Sequence, residues 1–174
     1  MGRGAYVGKL FNETGDAEVR IVTDVNPAAF DVGRERFEAG GASPRCTTDL
    51  AELLARGDLD WVVVGTPDRT HYDLARRVIE SGKNVFIEKP MASTTAQADH
   101  ICALTREHGV AVVVGCELRY SPPVQTVAQA LRDGLIGPPV TAVFVHQEAR
   151  GYTYFLRDFR KRCWGGVLMQ KGIH

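Results

Sequence analysis

The chain has 174 residues, 44% of them hydrophobic and 8% aromatic, and its 21 Lys plus Arg are matched by 21 Asp plus Glu. This size and apolar content allow one core-burying domain and part of a second, and exclude a disordered chain. A net charge of zero speaks against a dedicated nucleic-acid binder. No apolar run approaches the ~18 residues of a membrane span, and the N-terminus lacks a charged-then-apolar signal pattern. The four cysteines, Cys46, Cys102, Cys116 and Cys163, show no CxxC or CxxH spacing, so no metal site is expected. Together these features predict a reduced, cytoplasmic protein associated with neither membrane nor nucleic acid.

The chain opens on Met1-Gly2-Arg3-Gly4-Ala5-Tyr6-Val7-Gly8, a glycine-rich turn running into a helix. Such a turn lets backbone N–H groups approach a pyrophosphate, although a surface turn would use the same residues. Residues 19–24 form a short strand ending in an acid. Asp24 lies 20 residues after Gly4, about where a dinucleotide fold places its ribose-binding acid. A carboxylate there repels a 2′-phosphate and favours NAD over NADP. Alternatively, Asp24 simply starts the Asp-Val-Asn-Pro turn.

A helix over 49–56 is closed by Gly57. The run Trp61-Val62-Val63-Val64-Gly65 reads as a strand buried on both faces of a parallel sheet. It leads into Gly65-Thr66-Pro67-Asp68-Arg69-Thr70-His71, at the strand's carboxyl end, where open α/β sheets bind ligands. Thr70 or His71 could equally cap the following helix. That helix is marked by His71, Leu74, Ala75, Val78 and Ile79 and stopped by Gly82.

The next strand, 84–88, ends in Glu88-Lys89-Pro90. A partly dehydrated lysine beside a carboxylate can polarise a hydroxyl that is losing hydride; the same residues also fit a solvated ion pair. Ser93 is placed to cap a helix ending at Gly109, and 110–114 is another strand. Strands alternating with helices predict an α/β fold, a doubly wound parallel sheet. A boundary falls at Ser121-Pro122-Pro123. Beyond it lie a helix through Val124, Val127, Ala128, Leu131 and Leu135, stopped by Gly134 and Gly137, and a strand over 141–146. Residues 150–164 mix aromatics with positive charge, as a base-stacking surface or a half-buried segment would.

Glu88-Lys89-Pro90 after one strand, preceded by Thr66-Pro67-x-x-x-His71 after another, resembles the Gfo/Idh/MocA oxidoreductases. Arg3-Gly4, the segment Glu117 to Pro122 and the stretch Gly165 to His174 extend the likeness along nearly the whole chain. The resemblance implies a Rossmann domain over 1–121 whose first strand is missing, and over 122–174 the start of a C-terminal α/β domain for substrate binding and oligomerisation. It implies NAD-dependent hydride transfer with a sugar or polyol, and a homo-oligomer in a full-length parent. Gly2, Arg3, Gly4, Asp24, Thr66, Pro67, His71, Glu88 and Arg119 would serve the cofactor. Lys89 would meet substrate and nicotinamide ribose, and His174 would take the hydroxyl proton. Gln170 stands where the family often has Asp; it can hydrogen-bond substrate but cannot stabilise an imidazolium by charge. Two other readings stay open: an NAD-using glycoside-cleaving enzyme, and a non-catalytic dinucleotide-binding remnant or regulator.

Overall fold

The computed structural model describes residues 3–38, 43–143 and 145. The chain forms two compact units, Met1–Gly115 and Cys116–His174.

The first unit begins with α1 (Arg3–Thr14), β1 (Ile21–Thr23), α2 (Ala29–Glu38), β2 (Arg45–Thr47) and α3 (Leu50–Leu54). It continues with β3 (Trp61–Val64), α4 (His71–Glu80), β4 (Asn84–Ile87), α5 (Thr95–His108) and β5 (Val112–Val114). β1 pairs with β2 in parallel, and β3, β4 and β5 form a second parallel sheet in that order. The predicted α/β class is therefore what forms. Two elements carried no expectation from sequence, α2 and the three-residue β2.

Local chemistry sets the ends of these elements. The Asp49 carboxylate accepts from the Ala51 amide at 2.8 Å and caps α3. At α5 the cap is Thr94 rather than Ser93. The Thr94 hydroxyl accepts from the Gln97 amide, while Gln97 Oε1 accepts from the Ser93 amide. This reciprocal pair satisfies the Gln97 amide, which the helix leaves without a partner, and the Ser93 amide just ahead of the cap. Gly109, in the left-handed region at φ 65°, closes α5, and its N–H donates to the Thr105 carbonyl.

The core lies against one face of the β3–β4–β5 sheet. Val62, Val64, Val85 and Ile87 pack with Ala75, Val78 and Ile79 of α4 and with Ile101 and Leu104 of α5. The expectation that β3 is buried on both faces does not hold. Trp61 is 46% exposed and Val63 half-buried, because the opposite face is covered only in part, through contacts such as the edge-on packing of Phe11 on Phe86, with centroids 6.0 Å apart.

At the amino end of this sheet, Asn84 joins three strands. Its Nδ2 donates to the Asp60 carbonyl and its Oδ1 accepts from the Ala111 amide. Buried Lys83 beside it donates to the Leu54 carbonyl at 2.9 Å. An exposed network of Arg56, Asp58, Arg20 and Glu18 links the entry to β3 with the entry to β1. The Arg56 guanidinium beside Asp58 lowers that carboxyl to about 2. No helix among the described residues is long and apolar enough to cross a membrane.

In the second unit, a 3-10 turn at Glu117–Tyr120 leads into α6 (Pro122–Arg132), with proline in its first turn. Proline is tolerated there because a first-turn N–H has no intrahelical acceptor. The strand expected over 141–146 does not form in its described residues: 141–143 are irregular and exposed. Among the described residues no strand lies alongside to pair with them, and an unpaired strand leaves its backbone groups unsatisfied.

Candidate functional site

Parallel strands in register bring their carboxyl ends to one rim. Val64 pairs with Ile87, and Ile87 with Val114. The ladder runs one step further, with the Glu88 amide on the Val64 carbonyl at 2.9 Å and the Gly115 amide on the Ile87 carbonyl at 2.8 Å. The loop starting at Gly65 and the segment Glu88-Lys89-Pro90 therefore leave the sheet side by side.

The first of these loops is folded on itself. The Thr70 amide and hydroxyl both donate to the Pro67 carbonyl, at 2.8 and 2.7 Å. The Thr70 hydroxyl has one hydrogen and has used it. The 2.7 Å contact between the two threonine hydroxyls must then run from Thr66 to Thr70. Exposed Thr66 is left with acceptor lone pairs toward solvent, while Pro67 is half-buried. Thr70 is thus not a side-chain cap for α4; its hydroxyl is spent on the loop.

His71 does not cap α4 with its side chain either. It is 1% exposed, and both ring nitrogens face carbonyl oxygens, Nε2 that of Thr66 at 2.8 Å and Nδ1 that of Pro90 at 2.6 Å. It sits beneath the rim. Lys89 is 2% exposed, Pro90 is fully buried and Glu88 is half-buried. Charged groups are rarely buried to this degree without compensating interactions.

Asp24 follows the carboxyl end of β1, in the other sheet. Its amide approaches the Thr47 carbonyl at 3.4 Å, and its Oδ1 accepts from the Asn26 amide at 2.9 Å. It does start the Asp-Val-Asn-Pro turn.

Arg3 and Gly4 already form the first turn of α1 rather than a turn ahead of it. An anion would then meet first-turn amides, which lack intrahelical acceptors. Gly8, to which the sequence assigned no role, sits in α1 close against Phe37 of α2 and Val19. A Cβ there would lie 3.1 Å from Phe37 Cε1 and 3.5 Å from Val19 Cγ2. The Gly4-x-x-x-Gly8 spacing was the available signal.

Among the predicted residues, Thr66, Pro67, His71, Glu88 and Lys89 are thus brought together. Asp24 stands on the β1 side, and Arg119 is exposed on the 3-10 turn of the second unit. Gly2, Gln170 and His174 lie outside the described residues. Among the described residues no group of three His, Cys, Asp or Glu could hold a metal. Parallel strand ends on one rim, a helix N-terminus and a close-approach glycine fit a dinucleotide.

Comparison with known proteins agrees. A family model described as an oxidoreductase family with an NAD-binding Rossmann fold, Gfo/Idh/MocA, matches residues 2–116. Inositol 2-dehydrogenase 1 of Saccharopolyspora erythraea is 35% identical over 153 residues, which are 86% of this chain and 44% of that protein. The 2,7-anhydro-N-acetylneuraminate hydratase of Mediterraneibacter gnavus is 29% identical over 149 residues, 86% of this chain and 37% of that protein. Among solved structures, GenD2 from gentamicin A biosynthesis, in complex with NAD, aligns with a TM-score of 0.63 and 32% identity. That alignment covers 73% of this chain and 36% of GenD2. The chain spans less than half the length of these relatives. By the family match over residues 2–116 and the parallel α/β fold, the chain belongs to the Gfo/Idh/MocA oxidoreductases, whose fold is an NAD-binding Rossmann domain.

Proposed function

We propose that this protein works as an NAD-dependent oxidoreductase on a sugar or polyol hydroxyl. The observation that carries the reading is Lys89, a lysine 2% exposed just past the carboxyl end of β4, on the segment beside the loop of Thr66 and Pro67. When bound, NAD supplies a nicotinamide that accepts hydride from the carbon bearing the hydroxyl. The Lys89 ammonium donates to the hydroxyl oxygen as negative charge develops there, a contact stronger in the transition state than before it. Glu88 and Pro67 support the nicotinamide end, and Thr66 accepts from a ribose or carboxamide donor. Gly2, Arg3 and Gly4 meet the pyrophosphate. Asp24 takes the adenosine ribose and repels a 2′-phosphate, which favours NAD over NADP. His174 receives the hydroxyl proton, its ordinary pKa of about 6.5 suiting the task, while Gln170 holds a substrate hydroxyl and Arg119 flanks the cofactor.

Residues 1–121 serve the dinucleotide, and 122–174 begin the part that meets substrate and a second copy of the chain. The free cysteines Cys46, Cys102 and Cys116 suit a cytoplasmic protein. A relative named as a hydratase favours, as a second reading, chemistry that ends without net oxidation of the sugar.

The test is Lys89→Met, with myo-inositol as the probe polyol. Methionine keeps the apolar stem and removes the charge and donors. Turnover should fall by about 10²–10³, with NAD affinity within a few-fold. Near-normal turnover in the variant would end the proposal, and sugar conversion without net NADH would favour the second reading.

A further inference from the structure

Beyond the Glu88–Val64 ladder bond, the two rim loops are joined by a side chain. Buried His71 contacts the Thr66 carbonyl through Nε2 at 2.8 Å and the Pro90 carbonyl through Nδ1 at 2.6 Å. Lys89 lies between Glu88, held by the backbone ladder at 2.9 Å, and Pro90, held by the imidazole. Its backbone is fixed on both sides, once by the sheet and once by His71. We propose that His71 is a positioning residue that sets Lys89 through the Pro90 carbonyl and registers it against the Thr66 loop through the Thr66 carbonyl. The importance of Lys89 rests on the function proposed above; the positioning itself is readable without it.

The two contacts can be separated chemically. An Asn amide nitrogen occupies nearly the place of imidazole Nδ1, and a Gln amide nitrogen reaches the place of Nε2. His71→Asn should therefore keep the Pro90 contact and lose the Thr66 one, and His71→Gln should do the reverse. A residue that merely filled space would not discriminate between them in this way.

The readout is competitive amine acylation of this chain, followed residue by residue by mass spectrometry. Lys9, with a side chain 33% exposed, should react fast, while Lys83 and Lys89, at 8% and 2%, should react slowly. Lys83 donates to the Leu54 carbonyl at the opposite, amino end of the sheet and reports on general loosening. With His71→Gln, Lys89 acylation should rise about tenfold while Lys83 stays slow, the scale expected for one lost buried hydrogen bond. With His71→Asn, Lys89 should stay within about twofold of the native rate, since its bond is retained. Equal behaviour of the two variants, the reverse order, or Lys83 rising in step with Lys89 would overturn the positioning role. Neither turnover nor dinucleotide affinity is read, so failure here leaves the proposed function standing, and loss of that function leaves this bridge standing.

Discussion

The two sheets of the first unit rest on different amounts of structure. The β3–β4–β5 sheet is backed by α4 and α5 through a continuous set of buried residues, several of them fully inaccessible, such as Ile79, Ile87 and Ile101. The β1–β2 pair has three residues per strand, and its own core is Phe37 with Val19 and Val22 packed on it. Ile21 is the strand residue by which β1 joins the larger core. Lys89 stands on the first of these and Asp24 on the second. A group that must meet a reacting atom within a fraction of an ångström gains most from a rigid support. A group that recognises a ribose can be ordered by the ligand as it binds. On the function proposed above, the well-backed sheet carries the residue of the chemistry and the lightly backed pair the residue of recognition.

The contrast can be broken most directly through the cores. Ile101→Ala, at a fully buried position on α5, should cost about 2–5 kcal/mol, measured by denaturant unfolding. It should weaken both sheets together. Phe37→Ala should instead raise amide exchange in 21–23 and 45–47 and leave 62–64 and 85–87 protected. If Phe37→Ala opened all four segments equally, the halves would be one cooperative unit and the comparison would fail.

Two glycines sharpen it at smaller scale. A Cβ on Gly115 would meet Phe86 Cζ at 3.2 Å and the Glu88 backbone Cα at 3.6 Å, on the well-supported side. Gly115→Ala should cost about 1–3 kcal/mol, as overpacking against fixed neighbours does. The Cβ of Gly8→Ala would press mainly on the Phe37 ring at 3.1 Å. There the helix-propensity gain of Ala over Gly, about 0.5–1 kcal/mol, offsets much of the strain. Equal losses, measured by thermal melting, would say that the two sides yield alike.

How much of this was legible in sequence varied with the pattern each element carries. α4 and α5 were readable from a helical period and a stop, such as Gly109 in its left-handed conformation, and β1, β3, β4 and β5 from short apolar, β-branched runs. β2 was not, because Arg45-Cys46-Thr47 has no alternation and is a strand only by pairing with β1. The helix cap shifted from Ser93 to Thr94 because both residues are good caps and only the Gln97 contacts choose between them. Lys89 and Thr66 were found as motif residues at strand ends. The burial of His71 against the Pro90 carbonyl joins residues 19 apart, which no local pattern announces, and the direction of the Thr66–Thr70 hydrogen bond follows from the fold of the loop that brings the Pro67 carbonyl to the Thr70 hydroxyl.

The smallest expected effect concerns Asp58, which helps link the entries to β1 and β3. Its carboxyl is held at about 2 by Arg56, with Arg20 contributing, below the ordinary value of about 3.9. A depressed pKa in the folded state gives stability that is present above pH ~4 and is lost as pH falls toward ~2. Asp58→Asn should flatten the melting-temperature profile in that window, lowering the melting temperature slightly at neutral pH, where the charged contacts are intact, and leaving it unchanged near pH 2. An unchanged slope there would remove this link from the account.

The central claim is that the carboxyl ends of the strands hold the dinucleotide. Hydrogen exchange of this chain with and without NAD tests it most directly. NAD should slow exchange in 65–71 and 88–92, and near Asp24, while 56–60 and 81–84 at the amino ends of the strands stay unchanged. Protection confined to the amino ends, or none at saturating NAD, would contradict it.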